Sequence, residues 1–265
     1  MTDLGSLFAR TAAEGRSALV GYLPAGFPTV DSGIEALKAM VDAGVDVVEV
    51  GLPYSDPVMD GPTIQAAAER ALAQGTKTAD VLRTVDAVAS TGVPALVMTY
   101  WNPVERYGLE RFARDLATAG GCGVITPDLI PEEAESWLDA TSAAGIDPVF
   151  VVAPSSTDER LRRVTSVTRG FVYAASTMGV TGTRHTVSDR AENLVKRVRQ
   201  VSDLPVCVGL GVSNADQAAE VAAYADGVIV GSAFVRRLLD EPSVPAGTAA
   251  VAALAAELAT GVRRR

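Results

Sequence analysis

Histidine and cysteine are scarce in this chain of 265 residues, and their scarcity excludes several kinds of metal site. His185 is the only histidine, so a zinc or iron site built from several histidines cannot form. Cys122 and Cys207 are far apart in the chain, and each lies in an apolar run where it would act as a small hydrophobic residue. We therefore expect a reduced protein without a metal.

Lysine is also rare, and the few lysines fall on predicted helices rather than at strand ends: Lys38, Lys77 and Lys196. Pyridoxal phosphate enzymes and covalent aldolases need a lysine that forms a Schiff base at the site. The sequence therefore favours acid–base chemistry that uses no cofactor in this chain.

Long apolar segments and clusters of basic residues are lacking as well. The N-terminus has no signal-peptide core, and no apolar run approaches the length of a membrane span. The net charge of −9 and the lack of a Lys/Arg stripe oppose nucleic-acid binding. We expect a cytoplasmic protein with neither nucleic acid nor a membrane as partner.

What the sequence does contain is a repeated strand–helix unit. Apolar strands alternate with amphipathic helices at a spacing of roughly 25 to 30 residues, which is typical of a (β/α)8 barrel. We therefore predict the α/β class, with one TIM barrel domain over residues 1–265, an N-terminal capping helix and an extra helix at 63–73 after strand 2. The predicted strands are 18–23, 47–51, 95–100, 123–126, 148–152, 171–175, 205–210 and 227–230. Further predicted helices are 109–119, 131–144, 158–167, 189–201, 214–223 and 249–258.

The stretch 47–65, VVEVGLPYSDPVMDGPTIQ, places a carboxylate inside a valine-rich strand. Alternation puts Glu49 on the face opposite Val48 and Val50, so it points into the barrel if the valines meet helices. An apolar surround raises the pKa of a carboxyl, whereas a polar loop keeps Asp60 ionised. The alternatives are a structural Glu49 paired with a buried arginine or capping a helix, and ordinary turn chemistry for Asp60 and Asp56.

Glycine pairs follow the last two predicted strands. Gly209 and Gly211 follow the seventh, and Gly231 with Ser232 follows the eighth, immediately before a helix. In barrels these two loops commonly bind a phosphate through backbone N–H groups, although a single GLG is more often a turn. The loop 176–188, STMGVTGTRHTVS, is long and rich in small residues, and we interpret it as a lid that closes over substrate.

The segments EVGLPYSDPVMDGPTIQ, GVTGTR, GLGVS and GSAFV resemble the α-subunit family of tryptophan synthase. The resemblance extends from Tyr22 to the terminal helix. It implies a (β/α)8 barrel that cleaves indole-3-glycerol phosphate into indole and glyceraldehyde 3-phosphate. It also implies an α2β2 complex with a β subunit that carries pyridoxal phosphate and receives indole through a tunnel.

The resemblance implies roles for individual residues. Glu49 would be the acid–base group at the indole ring carbon and the glycerol hydroxyl, and Asp60 would interact with the indole N–H. Thr181 would order Asp60 when the lid closes, and Tyr173 would line the site. The remaining implied residues are Tyr22 and Tyr100 at the indole, Gly182, Gly211, Gly231 and Ser232 at the phosphate, and Pro53, Asp56 and Asn102 at the β subunit. Thr177 and Met178 depart from the family pattern, in which many relatives have a basic residue and a small one.

Two alternatives remain open at this point. The missing strand-end lysine argues against an indole-glycerol phosphate synthase, and the single histidine argues against several sugar-phosphate isomerases. A non-catalytic barrel that only regulates a partner is disfavoured because Glu49 and Asp60 are both present. We assign no role to His185, since lone loop histidines are usually bystanders. Trp101, which precedes Asn102, fits either a partner surface or a local contact on the barrel rim.

Overall fold

The computed structural model of the chain describes residues 3–176 and 184–264, and the side chains of residues 184–188 lie outside that description. Its strands form one parallel sheet in the order β5-β4-β3-β2-β1-β9-β8-β7-β6. The strands are β1 (Ala18–Pro24), β2 (Val47–Gly51), β3 (Ala95–Met98), β4 (Gly123–Ile125), β5 (Asp147–Val149), β6 (Val151–Val152), β7 (Val172–Ala175), β8 (Val206–Gly209) and β9 (Gly227–Val230).

The two outermost strands of this order are halves of one strand. Only Phe150 separates β5 from β6, and β5 pairs with β4 while β6 pairs with β7. The sheet therefore closes into a barrel through this interrupted strand. The predicted eight-stranded barrel is confirmed, with its fifth strand divided in two.

Helices follow the strands and cover the barrel. They are α1 (Leu4–Ala13), α2 (Val30–Asp42), α3 (Pro62–Ala73), α4 (Thr78–Ala89), α5 (Trp101–Tyr107), α6 (Leu109–Thr118), α7 (Glu135–Ala144), α8 (Asp158–Val167), α9 (Arg184–Arg199), α10 (Ala215–Ala222), α11 (Ser232–Asp240) and α12 (Val244–Gly261). The extra helix after strand 2 is α3, which Pro62 opens at a position where no N–H partner is needed.

Two local predictions were wrong, and one helix was not predicted. The helix that was not predicted is α5, which has Pro103 in its first turn, a position where proline is tolerated. The predicted helix 131–144 is divided into a 3-10 turn, Pro131–Glu133, and α7. Lys77 stands at the N-cap of α4 rather than within a helix.

Two apolar clusters occupy the two faces of the sheet. Outward-facing strand residues such as Val48 and Val50 pack with the helices in the outer cluster. Inward-facing residues form the second cluster, which α1 completes at the N-terminal end of the barrel through Leu4, Leu7 and Phe8. The predicted capping helix is thereby confirmed, and it keeps water from one end of the barrel interior.

A buried ion pair connects the segment after α1 to the first two strands. Arg16 donates from its two terminal nitrogens to the Asp46 carboxylate at 2.7 and 2.8 Å. The Leu19 N–H also donates to Asp46, at 2.9 Å. Both charged side chains of this pair are buried, so Asp46 depends on Arg16 for its compensating charge, while Arg16 also donates to the exposed Glu14 at 2.6 Å.

One helix of the described chain, α12, is long and apolar enough to cross a membrane, with a mean hydropathy of 1.3. This corrects the expectation that no apolar run approaches that length. Helix α12 packs against α2, α10 and α11, and core helices pass the same test of length and composition.

We expect Asp46→Ala to lower the free energy of unfolding by about 3 kcal/mol, because it removes the buried partner of Arg16, which then keeps only the exposed Glu14, and leaves the Leu19 N–H without its acceptor. The control is Asp31→Ala, which breaks an exposed pair with Arg83 and should cost less than about 1 kcal/mol. Urea unfolding measures both variants, and equal losses would contradict this role of Asp46.

Candidate active site

Glu49 is the acid at the centre of the barrel. It lies on β2 with its side chain inward, on the face shared with Val47, and the register of the sheet places it between Tyr22 of β1 and Leu96 of β3. The side chain is fully buried, and neither carboxyl oxygen has a hydrogen-bond partner among the described residues. Burial raises the pKa of Glu49 to about 8, so the carboxyl is protonated at neutral pH.

The structural alternative for Glu49 does not hold. The buried arginine that could have paired with it, Arg16, is instead paired with Asp46, three residues earlier in the chain. Two buried acids only three residues apart thus have different environments. Asp46 is fully compensated, whereas Glu49 faces an apolar interior.

Glycines at the C-terminal end of the barrel make room for two tyrosine rings. A side chain at Gly51, the inward-facing end of β2, would collide with the hydroxyl of Tyr22. A Cβ atom at Gly231 would lie 3.2 Å from the Tyr22 ring, and one at Gly209 would lie 2.9 Å from the Tyr173 hydroxyl. The glycines therefore allow aromatic side chains to lie above Glu49 at this end.

Asp60 lies in the loop after β2 and is half-buried. The Tyr100 hydroxyl donates to Asp60 Oδ1 at 2.9 Å and accepts from the Met59 N–H at 3.0 Å. Burial raises the pKa of Asp60, and the hydrogen bond from Tyr100 opposes that rise. The loop is thus less polar than the sequence suggested, and Tyr100 is the group that favours the ionised form of Asp60.

Tyr22 lies close enough to both acids for their charges to affect it. Burial raises the pKa of Tyr22 most, and the negative charges of Asp60 and Glu49 raise it further. The pKa of Tyr173 is likewise raised by burial first and then by Glu49 and Tyr22. Two carboxyls and several aromatic rings therefore share the C-terminal end of the barrel, where ligands bind in this architecture.

Backbone N–H groups are available beside this cluster. Helix α11 begins at Ser232, directly after β9, and no side chain of the described residues caps it at Gly231. Gly211, after β8, has a φ of 71°, a conformation that glycine adopts without strain. Both loops lie at the C-terminal ends of their strands, as the phosphate prediction requires.

Part of the predicted lid lies outside the described residues. Thr181 and Gly182, with the departures Thr177 and Met178, belong to 177–183, and the side chain of His185 is also outside the description. The roles suggested for these residues stay predictions.

The predicted partner residues lie on the barrel rim around residues 53–60 and differ in exposure. Asp56 and Asn102 are exposed, but Pro53 is buried within this chain and can only shape the loop. Trp101 packs edge-on against Trp137 with ring centroids 5.7 Å apart. Of the two alternatives for Trp101, a partner surface or a local contact on the barrel rim, this contact is the second.

Sequence reasoning missed Tyr54. Its ring lies 5.4 Å from that of Tyr100, and its hydroxyl accepts from the Asn102 side chain at 3.0 Å. Asp128, which follows β4, accepts the Trp101 N–H at the start of α5. Both contacts join loops that are distant in sequence, so no local signal identified them.

Comparisons with known proteins agree on one family. A sequence model described as tryptophan synthase alpha chain matches residues 8–262. The tryptophan synthase alpha chain of Thermobifida fusca (strain YX) is 63% identical over 266 residues, covering 99% of this chain and 98% of that relative. A structure of Mycobacterium tuberculosis tryptophan synthase superposes with a TM-score of 0.91 at 55% identity and covers 98% of each chain. Tryptophan synthase subunit alpha of Legionella pneumophila str. Paris gives a TM-score of 0.89 at 30% identity, covering 99% of this chain and 98% of that one.

The pKa of Glu49 makes stability depend on pH. Between about 4.5, its ordinary value, and about 8, the folded chain keeps a proton that the unfolded chain releases, so rising pH favours unfolding. From pH 5 to pH 8, we expect wild type to lose about 3 kcal/mol of unfolding free energy relative to Glu49→Gln. Urea unfolding of Glu35→Gln, which alters an exposed carboxylate, serves as control. Parallel pH curves for wild type and Glu49→Gln would rule out the raised pKa.

Proposed function

The chain belongs to the tryptophan synthase alpha chain family, and from that premise we propose that Glu49 and Asp60 are its catalytic residues. It is the α subunit, a carbon–carbon lyase of tryptophan biosynthesis that cleaves indole-3-glycerol phosphate to indole and glyceraldehyde 3-phosphate. The α chain has no cofactor of its own, since pyridoxal phosphate belongs to the β subunit. Family membership decides against the synthase, isomerase and regulatory alternatives.

The first step is protonation of the indole ring. The observation that carries the proposal is the burial of Glu49 without a hydrogen-bond partner among the described residues. With a pKa of about 8, its carboxyl holds a proton at neutral pH and can deliver it to the ring carbon that bears the glycerol chain. That carbon becomes tetrahedral, and a positive charge develops on the ring nitrogen.

Asp60 stabilises this cation. Its carboxylate accepts the indole N–H, and a fixed negative charge beside the developing positive charge lowers the barrier. The hydrogen bond from Tyr100 supports the ionised form that this role requires. Tyr22 and Tyr173 supply the aromatic walls against which an indole ring can pack.

Glu49 then completes the reaction. After giving up its proton it is a carboxylate, and it takes the proton from the glycerol hydroxyl next to the scissile bond. The carbon–carbon bond breaks as the hydroxyl carbon becomes an aldehyde, and the bonding electrons return to the ring and neutralise its nitrogen. Glu49 finishes protonated, so one proton has moved from oxygen to carbon without any cofactor.

The phosphate end of the substrate is assigned to the loops after β8 and β9. Gly211, Gly231 and Ser232 would donate backbone N–H groups, together with Gly182 from the undescribed part of the lid. The start of α11 adds the favourable end of the helix dipole. These groups act locally, so the net charge of −9 does not oppose them.

A β subunit is the implied partner, and we assign its contact to the rim at residues 53–60 and the start of α5. Asp56 and Asn102 are exposed there, as are the large apolar side chains Val58 and Met59, at 76% and 50%. Exposed apolar residues at one site are typical of a binding surface. We further propose an α2β2 assembly in the cytoplasm, with residues 1–265 acting as one barrel domain.

Glu49→Gln and Asp60→Asn should each reduce indole release from indole-3-glycerol phosphate by at least ~10²-fold, because each removes a group that acts on the reacting ring. The matched control is Glu69→Gln, on the exposed face of α3, which should retain full activity. Near-normal turnover by a folded variant of either residue would end its assignment.

Adding the β subunit should raise the rate of indole formation by the α chain, because docking at residues 53–60 would order the loop that carries Asp60. Val58→Asp should weaken this stimulation, since it places a charge on the exposed apolar face. Serum albumin at the same concentration controls for crowding. Equal rates with and without the β subunit would contradict the proposed partner surface.

A further inference from the structure

We infer that Tyr54 is a positioning residue that holds Asp60 in place through Tyr100, with Asn102 fixing the Tyr54 hydroxyl. This inference rests on the proposed catalytic role of Asp60. It assigns a function to a side chain that approaches the reaction only through another residue. Three contacts carry it, and they form a continuous path from the exposed rim to Asp60.

The first contact is the double hydrogen bond of Tyr100. Its hydroxyl donates to Asp60 Oδ1 at 2.9 Å and accepts the Met59 N–H at 3.0 Å. One phenol oxygen therefore holds two consecutive residues of an otherwise exposed loop. Where the Tyr100 ring lies decides where the Asp60 carboxylate lies.

The second contact is the packing of Tyr54 on Tyr100. The ring centroids are 5.4 Å apart with an interplanar angle of 38°. Tyr100 is buried, and Tyr54, whose ring contacts it, is half-buried. A shift of Tyr54 would therefore open space into which the Tyr100 ring could move.

The third contact fixes Tyr54 itself. The Asn102 side-chain amide donates to the Tyr54 hydroxyl at 3.0 Å. Asn102 lies in the first turn of α5, and the Trp101 N–H of the same turn is held by the Asp128 carboxylate at 2.9 and 3.1 Å. Tyr54 is thus tied to an anchored helix rather than to another mobile loop.

These contacts bracket the exposed part of the rim. On the N-terminal side of residues 55–58, Tyr54 is hydrogen-bonded to Asn102. On the C-terminal side, Met59 and Asp60 are hydrogen-bonded to Tyr100. Of the proposed partner surface, Asp56 and Val58 lie between these two sets of hydrogen bonds to the start of α5, and Met59 and Asn102 take part in them. The Tyr54 hydroxyl, which is bonded to Asn102, therefore contributes to the geometry of Asp60 through its ring contact with Tyr100.

The test uses the full chain without a partner, so that changes at Asn102 cannot act through β-subunit binding. Tyr54→Phe keeps the ring and removes only the hydroxyl tie, and Asn102→Ala removes the other half of the tie. Each should lower kcat for cleavage of indole-3-glycerol phosphate by about threefold to tenfold, the effect of one net hydrogen bond, with little change in KM. The double variant should be no slower than either single variant, because both remove the same interaction.

A conservative replacement separates positioning from a general structural effect. In Asn102→Asp the Tyr54 hydroxyl can donate to the new carboxylate, so the tie is restored with its polarity reversed and activity should return toward wild type. The same replacement in a Tyr54→Phe background should give no rescue. The matched control is Tyr107→Phe on α5, the helix that also carries Asn102. It removes the hydrogen bond of 2.9 Å from the Tyr107 hydroxyl to Asp115 and should leave kcat unchanged.

Three results would overturn the inference: Tyr54→Phe as active as Tyr107→Phe, additive losses in the double variant, or Asn102→Asp as slow as Asn102→Ala. Hydrogen exchange of the Met59 amide gives a readout that does not need turnover, and it should be faster in Tyr54→Phe than in Tyr107→Phe. If wild type releases no indole, the proposed function fails. Met59 exchange then still decides the inference, and equal exchange rates in the two variants would overturn it.

Discussion

The structure depends on one unfavourable placement, a carboxyl group buried in the apolar interior of a parallel barrel without a compensating charge. Glu49 can remain there only as the neutral acid, because moving an ionised carboxylate out of water without a partner costs several kcal/mol. Burial lowers the stability of the folded chain at pH values above the ordinary pKa of Glu49, and it also keeps Glu49 protonated at neutral pH, as the proposed role of proton donor requires. The proposed catalytic role and the cost in stability therefore arise from the same residue.

The rest of the barrel keeps that placement possible. Helix α1 closes the N-terminal end with apolar side chains, the buried Arg16 is paired with Asp46 and Glu14, and no described residue donates a hydrogen bond to Glu49. At the other end, glycines leave room for Tyr22 and Tyr173. A strand thus positions Glu49, which the proposed mechanism needs in its neutral form, and a loop held by Tyr100 positions Asp60, which that mechanism needs ionised.

Much of this could be predicted from local sequence. Alternation of valines around Glu49 was sufficient to place it inside the barrel, because the period of a strand admits only two faces. Helix α5 could not be found in the same way, since Pro103 has one meaning in a loop and another in a first helical turn. Nor could the Tyr54–Asn102 bond, which joins residues 48 positions apart and depends on how two loops meet after folding. Local sequence patterns predicted which face of a strand a residue occupies, whereas contacts between loops could be identified only in the folded structure.

Direct titration of the Glu49 carboxyl shows whether burial keeps this group neutral. Carbon-13 NMR of glutamate-labelled protein, with the Glu49 signal assigned by its loss in Glu49→Gln, reports the protonation state without reference to turnover. We expect a neutral carboxyl at pH 7 and a titration midpoint near pH 8. A signal that is already ionised at pH 6, with a midpoint near the ordinary value of 4.5, would contradict it.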